Sequence, residues 1–377
     1  MRVALVTENF LPKIDGVTRT LSMVLEHLRA HGHRTIVLGP TGAPRRYAGA
    51  RVFAAPGVPI PFYPELHFLL PPPAFAGCLE RFRPDVIHVV DPMILGAASI
   101  VWARKLGIPL VSSYHTNLAA YCSYFHLGAL ENPMWAYRRV VHNACDVTLC
   151  PSPSTASALK ARGFERVAVW PRGVDAALFS PARRSADWRR RVAGADAGTI
   201  VLYVGRLSHE KNLWTLVKAY RALPTADDTR LVLVGDGPAR GELEEALRGR
   251  RVTFTGYLRG TALAEAYASA DVFAFPSTTE TFGQVVQEAM ASGLPTVAFA
   301  ADGVRDLVAD GETGLLARSG DEQGFALALR RVIGSPELRA QLGAAAHLRA
   351  STRSWPDVME LLVEQYRRVG KPALKAA

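Results

Sequence analysis

The sequence predicts an α/β protein built of two doubly wound parallel-sheet domains, and three features carry that prediction. Short, continuously apolar runs alternate with helical stretches from end to end, the pattern of parallel strands covered on both faces. These runs fall into two series, separated by the irregular and partly basic stretch Pro171–Gly198. At 377 residues the chain is also too long for one ordinary core and fits two.

In the first series the strands read as Val3–Thr7, Thr35–Leu38, Val86–Val90, Leu110–Tyr114, Val147–Leu149 and Val167–Trp170. In the second they read as Ile200–Val204, Leu231–Val234, Val252–Phe254, Val272–Phe275 and Thr296–Phe299. Domains over residues 1–171 and 172–354 follow, with Pro171–Gly198 as the expected linker. The closing segment Trp355–Val369 reads as a helix with Leu361, Leu362, Val363 and Tyr366 on one side, and it suits either domain. Pro56–Pro73 is apolar, aromatic and proline-rich, too kinked for a helix or a central strand. It reads either as a loop that touches a hydrophobic acceptor or lipid, or as a segment packed on its own domain.

Composition narrows the class. With 49% hydrophobic and 21% charged residues the chain is well packed and not disordered. Its start, Met1–Glu8, is a strand with no secretory h-region, and no run of 18 apolar residues suggests a span. Four cysteines (Cys78, Cys122, Cys145 and Cys150) make no CxxC pair and read as reduced structural thiols of a cytoplasmic protein. The formal charge of +10 is uneven: residues 1–170 hold 17 basic against 10 acidic groups, or +7, and the rest 27 against 24, or +3. A basic first half favours an anionic partner, either a phosphorylated ligand or the acidic inner face of a membrane. Ordinary solvated faces are the alternative. Nucleic acid is not expected, since no recognition motif or aromatic-interleaved basic stretch occurs.

The chemistry concentrates at predicted strand ends. After Val272–Phe275 comes Ser277–Glu288, with Glu280 in the loop, Phe282-Gly283 at a helix start and Glu288 on the second turn. A strand, loop and helix in that order leave first-turn N–H groups open to an anion or polar ligand. Both carboxylates are expected to face one crevice and to accept hydrogen bonds from sugar hydroxyls, although acid–base chemistry fits the pair equally. After Ile200–Val204, Arg206 and Lys211 sit at the carboxyl edge of a parallel sheet, where they suit a diphosphate. Gly16, between the first strand and the first helix (Thr20 to Leu28), lets a ligand approach the backbone. Gly235-Asp236-Gly237 is half of a dinucleotide fingerprint with the third glycine misplaced, so NAD is not expected. His115, in Ser113-Tyr-His-Thr-Asn117, suits a hydrogen bond to a transferred group better than general-base work, and Asp91 is a further strand-end candidate. No Asp-x-Asp element stands on a strand-end loop to hold Mg²⁺ or Mn²⁺; the acidic pair Asp227-Asp228 reads as a turn.

These elements together resemble the retaining glycosyltransferases of family 4, with the GT-B fold of two Rossmann-like doubly wound domains facing across a cleft. The resemblance runs through Glu8–Gly16, Ser113–Asn117, Pro171-Arg-Gly-Val-Asp175, Gly205–Asn212, Val234–Pro238 and the Glu280–Glu288 element. It implies transfer of a hexose from UDP- or GDP-hexose with retention, without a metal or other cofactor, the nucleotide sugar being a substrate. Arg206 and Lys211 would bind the diphosphate, Glu280 with the Phe282-Gly283 backbone the sugar hydroxyls, and Glu288 the ribose. Gly16 would admit the phosphate and His115 would touch the donor sugar. Asp15, Tyr63 and Asn117 are the candidate acceptor contacts. The final helix, residues 355–377, would pack back on the first domain. Tyr114–Asn117 and Pro59–Glu65 look most like the branch that glycosylates lipids, such as sulfoquinovosyl, glucosyl or mannosyl transferases. The alternatives are a soluble or polysaccharide acceptor, a sugar-nucleotide epimerase of the same fold, and a non-catalytic sensor.

Overall fold

The computed structural model describes residues 1–13, 15–60, 63–124, 127–194, 198–224 and 228–370. The chain divides into two compact units, one of Met1–Pro171 with Trp355–Ala377, the other Arg172–Ser354.

The first unit holds β1 (Arg2–Thr7), α1 (Gly16–Ala30), β2 (Arg34–Pro40), β3 (Arg46–Tyr47), β4 (Ala50–Ala55), β5 (Gly57–Ile60) and β6 (Tyr63–Leu69). It continues with α2 (Ala74–Phe82), β7 (Val86–Val90), α3 (Ile94–Lys105), β8 (Leu110–Ser113), α4 (Leu118–Tyr124), α5 (Glu131–Asn143), β9 (Val147–Cys150), α6 (Pro153–Ala161) and β10 (Val167–Val169). The main sheet runs β10-β9-β8-β7-β1-β2-β4-β3, parallel except for the edge strand β3. Strand β1 is its topological switch: β2 and β4 build outward on one side, then the chain returns to lay β7 on the other.

The second unit holds α7 (Ala186–Ala193), β11 (Thr199–Val204), α8 (Leu213–Arg221), β12 (Thr229–Val234), α9 (Arg240–Ala246), β13 (Val252–Gly256), α10 (Gly260–Ser269) and β14 (Val272–Phe275). Then come α11 (Gln284–Ala291), β15 (Thr296–Phe299), α12 (Asp302–Leu307), β16 (Gly314–Ala317), α13 (Glu322–Gly334) and α14 (Pro336–Ala350). Its six strands are all parallel in the order β13-β12-β11-β14-β15-β16. Counted from the first strand of the unit that is 3-2-1-4-5-6, with the switch at β11 and β14.

The apolar pattern explains these elements. Strands β11, β14 and β15 are buried almost throughout, as strands covered on both faces must be. Helix α1 starts where the Asp15 carboxylate accepts from Thr18 N at 2.9 Å and buries Leu21, Val24, Leu25 and Leu28, one stripe at helical spacing. The last helix, α15 (Trp355–Gly370), belongs to the first unit. It buries Trp355, Val358, Met359, Leu362, Val363 and Tyr366 against the face that also carries Leu21 and Val24. Trp170 Nε1 donates to Val358 O at 3.0 Å, and the Tyr366 hydroxyl lies 2.7 Å from His88 Nδ1.

The structure departs from the sequence expectations in several places. Leu361 is exposed, since it falls between the i and i+4 rows of the α15 stripe. Pro171–Gly198 is not a linker. From Arg172 onward the chain belongs to the second unit, Trp188 of α7 is buried there, and Arg184 and Arg189 both grip Asp271. Strands β4 and β16 were not expected: the first is short and broken by exposed arginine, the second only four residues long. The Pro56–Pro73 segment forms an antiparallel hairpin, β5 with β6, apart from the main sheets. Strand β8 ends at Ser113 and β10 at Val169, each one residue short, and α1 begins four residues earlier than expected, because its cap is Asp15. The four cysteines are buried and form no disulfide among the described residues.

Candidate active site

In the second unit the loops that leave β11 and β14 stand side by side at the sheet switch, and they carry the predicted residues. Lys211 Nζ lies 2.5 Å from Glu280 Oε1, joining the two loops. Ser277 Oγ donates to the same oxygen at 3.1 Å, and Asn212 Nδ2 reaches Pro276 O at 3.3 Å. Both Lys211 and Glu280 keep under one fifth of their side-chain surface in solvent, so the pair is partly desolvated while one face stays reachable. Arg206 is half-buried on the same loop, and its carbonyl accepts the Tyr203 hydroxyl at 3.0 Å.

Close packing of small residues holds these loops. A Cβ on Gly235 would stand 1.9 Å from the Gly205 carbonyl oxygen, so the Gly235-Asp236-Gly237 turn serves the approach of two loops, not a pyrophosphate fingerprint. Leu207 N and Ala239 N close the contact on Asp236 O and Leu207 O. Behind Glu280, Gly303 N donates to Glu280 O at 3.0 Å, and a Cβ on Gly303 would meet the Phe282 backbone at 2.3 Å. Gly283 takes the left-handed φ of 92° as the N-cap of α11, and no side chain caps that helix start. Its first-turn N–H groups, with the positive end of the helix dipole, suit an anionic or polar ligand.

The two glutamates are not equivalent in burial. Glu280 is partly exposed on its loop, whereas Glu288 is 1% exposed within α11. The Tyr267 hydroxyl stands 3.4 Å from Glu288 Oε2. Phe282 is buried and packs into the core of the unit.

The first unit shows a corresponding junction at its own switch. Glu8, just past β1, accepts from Met93 N and Gly96 N on one oxygen (3.1 and 3.2 Å) and from Leu69 N on the other (3.2 Å). Burial pushes its carboxyl up to about 7, although these N–H donors pull it down. Asp91, with φ of 44°, accepts from His115 N, Thr116 N and Arg138 Nη2, and Arg138 is 1% exposed. His115 Nε2 lies 2.8 Å from Ser113 Oγ, which in turn lies 2.8 Å from His88 Nε2. A buried polar chain thus runs from His115 to Tyr366.

Gly16 is the first residue of α1, with open space where a Cβ would be. Two candidate acceptor contacts have local duties. Asp15 caps α1, takes Asn9 Nδ2 at 2.5 Å and pairs with Lys13 at 3.3 Å. Asn117 Oδ1 accepts from Ala120 N at the start of α4. Tyr63 opens β6, and its side chain lies outside the described residues, as does Asp227. Asp228 is paired with Arg251, not turned toward a metal site. Sequence reasoning missed Ser277, Arg138 and Glu8 as side chains in these junctions. Ser277 had a usable signal, three residues before Glu280 at a strand end.

Residues 14–178 match the family described as Glycosyltransferase Family 4, and residues 185–349 match Glycosyl transferases group 1. A GDP-mannose-dependent alpha-mannosyltransferase of Mycolicibacterium smegmatis is 41% identical over the whole of both chains. The chain belongs to glycosyltransferase family 4. The sulfoquinovosyl transferase of Arabidopsis thaliana is 35% identical, covering 91% of this family 4 chain and 68% of its own. Among solved structures, sucrose-phosphate synthase from Thermosynechococcus elongatus matches with a TM-score of 0.80 at 23% identity, covering 98% of each chain. Anabaena HepE in complex with UDP and glucose matches at 0.78 and 21%, over 98% of this chain and all of its own. The fold of this family 4 member is GT-B.

Proposed function

We propose that this glycosyltransferase moves mannose from GDP-mannose to a hydroxyl of a lipid or glycolipid acceptor, with retention at the anomeric carbon. The observation that carries the reading is the Lys211–Glu280 pair beside the uncapped start of α11. It sets a cation, a carboxylate acceptor and the N-terminus of a helix around one sheet switch, the set a sugar diphosphate needs. GDP-mannose is favoured over a UDP-hexose by the mannosyltransferase of M. smegmatis and a second of Corynebacterium glutamicum, 36% identical over 98% of this chain. A lipid acceptor is supported by the sulfoquinovosyl transferase and by an alpha-monoglucosyldiacylglycerol synthase of Streptococcus pneumoniae at 28% identity.

The step breaks the bond from the anomeric carbon to the diphosphate and forms one to the acceptor oxygen on the same face. The acceptor proton passes to the departing diphosphate, and GDP leaves. Arg206 and Lys211 offset the charge that builds on that group, a fixed electrostatic task. Glu280 and the Phe282-Gly283 backbone hold the sugar hydroxyls. Glu288, buried within α11, is assigned to the ribose hydroxyls, which would donate to its carboxylate. His115 and Gly16 are assigned to the transferred sugar and to its phosphate. No covalent carboxylate nucleophile is part of this scheme. The +7 balance of residues 1–170 supports peripheral contact with anionic lipid. Among the described residues no helix is long and apolar enough to cross a membrane.

The test is incubation with labelled GDP-mannose and UDP-glucose, with and without lipid extract. The expected result is mannose label in the lipid phase with the α configuration by NMR. Label recovered as an altered sugar nucleotide means an epimerase, and unconsumed but bound donor means a sensor. Binding to phosphatidylserine vesicles that weakens with salt supports membrane contact, and absence of binding at any salt overturns it.

A further inference from the structure

We propose that His27, His31 and Glu360 form a binding site for a divalent transition metal, Zn²⁺ or a close analogue, that clamps α1 to the final helix α15. One ligand atom from each of the three lies within 4.8 Å of the other two. His27 and His31 are one helical turn apart at the end of α1, their rings stacked with centroids 4.0 Å apart. Glu360 comes from α15, and its Oε2 stands 3.5 Å from His27 Nε2.

Three features suit a metal better than a plain ion pair. His31 Nδ1 lies 2.9 Å from the His27 carbonyl oxygen, which can only accept. That bond therefore places the proton on Nδ1 and leaves the Nε2 lone pair for a ligand, the arrangement in which a backbone carbonyl orients a metal-binding histidine. His27 Nε2 is buried and makes no hydrogen bond among the described residues, its approach to Glu360 being too long for a good one. The cluster also sits at the carboxyl end of a 15-residue helix, where the dipole favours positive charge.

The donor set names the class of ion. Two imidazoles and one carboxylate suit zinc, nickel, cobalt or copper, and not calcium or magnesium, which want oxygen. Zinc bonds of about 2.0–2.2 Å require the three atoms to draw closer than they stand. His27 is the fixed member at 11% side-chain exposure, while His31 is exposed and Glu360 keeps 43% of its side chain in solvent, so these two can close on it. Arg367 Nη1 holds the other Glu360 oxygen at 2.9 Å and orients the carboxylate. The site lies at the carboxyl end of α1, the opposite end from Gly16, and joins that helix to α15, so its proposed work is to fasten the last helix.

The full-length protein is stripped with EDTA and titrated with Zn²⁺ against a chelating dye, and with Co²⁺ followed by visible absorption. One equivalent is expected to bind, with a rise in Tm and Co²⁺ d–d bands free of thiolate charge transfer. His31→Gln and Glu360→Gln, both at accessible positions, are expected to weaken binding about tenfold or more and to abolish the Tm rise. His209→Gln, at the exposed His209–Glu242 pair, is the control and is expected to bind as the parent does. Unchanged affinity and spectrum in His31→Gln, loss of binding only in His209→Gln, or no saturable binding by the parent protein would each overturn the proposal.

Discussion

Lys211 and Glu280, 69 positions apart in the chain, meet at 2.5 Å because β11 and β14 are neighbours at the switch of the second sheet. The pair ties together the two loops assigned to the nucleotide sugar, and it also sets a competition. Each group is partly satisfied by the other, so a donor gains by sharing the charges of a preformed unit, and loss of one partner leaves the other misplaced.

The expected signature is non-additivity. Lys211→Met and Glu280→Gln should each lower kcat/KM, and the double variant should lose less than the product of the two. A coupling of about 1–2 kcal/mol fits contacting residues in a shared network. The check is a double-mutant cycle in steady-state kinetics with GDP-mannose. Strictly additive losses would mean that the contact plays no part in the reaction.

Much of this site was legible because strand, loop and helix followed one another in the sequence. Glu280, Gly283 and Lys211 could be placed at strand ends from apolar runs alone. Their pairing could not, since it depends on which strands lie side by side, and Val201 pairs with Val272 only through the crossover order of the sheet. The same reason hid Arg138, which reaches Asp91 from α5. Burial was the other blind spot. Glu280 and Glu288 look alike in sequence, and only packing around α11 leaves one partly exposed and the other 1% exposed. Asp15 and Asn117 also cap α1 and α4, a role that the sequence alone does not separate from ligand contact at a loop end.

Gly303 supports Glu280 from behind, its N–H donating to the Glu280 carbonyl at 3.0 Å. A Cβ there would lie 2.3 Å from the Phe282 backbone, which cannot move aside as a flexible side chain would. Gly303→Ala is therefore expected to displace the Glu280–Phe282 loop and reduce kcat/KM about 100-fold, the scale set by misplacement of a positioned group by roughly 1 Å. The measurement is kcat/KM beside urea denaturation of the same preparation. Wild-type activity would show that the loop does not set the geometry of Glu280.

Breaking the Arg138–Asp91 pair should be costly to the fold. Arg138 is 1% exposed, stands over the Tyr114 ring at 4.8 Å, and neutralises a carboxylate that already accepts His115 N and Thr116 N. Arg138→Met retains much of the packing but strands the partly buried charge, so a loss of about 3 kcal/mol is expected. Equilibrium urea unfolding measures it, and restoring stability with Asp91→Asn in the same chain would assign the loss to the uncompensated charge. A variant as stable as the parent would refute the assignment.

Glu8 gives a pH dependence with a definite sign. Burial raises its carboxyl from 4.5 to about 7 in the folded state, so between those values the unfolded chain has released a proton that the native protein still holds. Below pH 4.5 both states are protonated and there is no penalty. As pH rises toward 7, the native state loses stability relative to the unfolded one, and above 7 the penalty is constant at about 3 kcal/mol. Glu8→Gln removes the titration while keeping one acceptor for Met93 N and Gly96 N. The difference in unfolding free energy between variant and parent should therefore shift in the variant's favour across pH 4.5–7 and level off above it. Parallel curves for the two proteins over that window would show that Glu8 titrates as an ordinary carboxylate. The absolute offset is a separate quantity, because the Gln amide also faces Leu69 N, a donor it cannot satisfy with an N–H of its own.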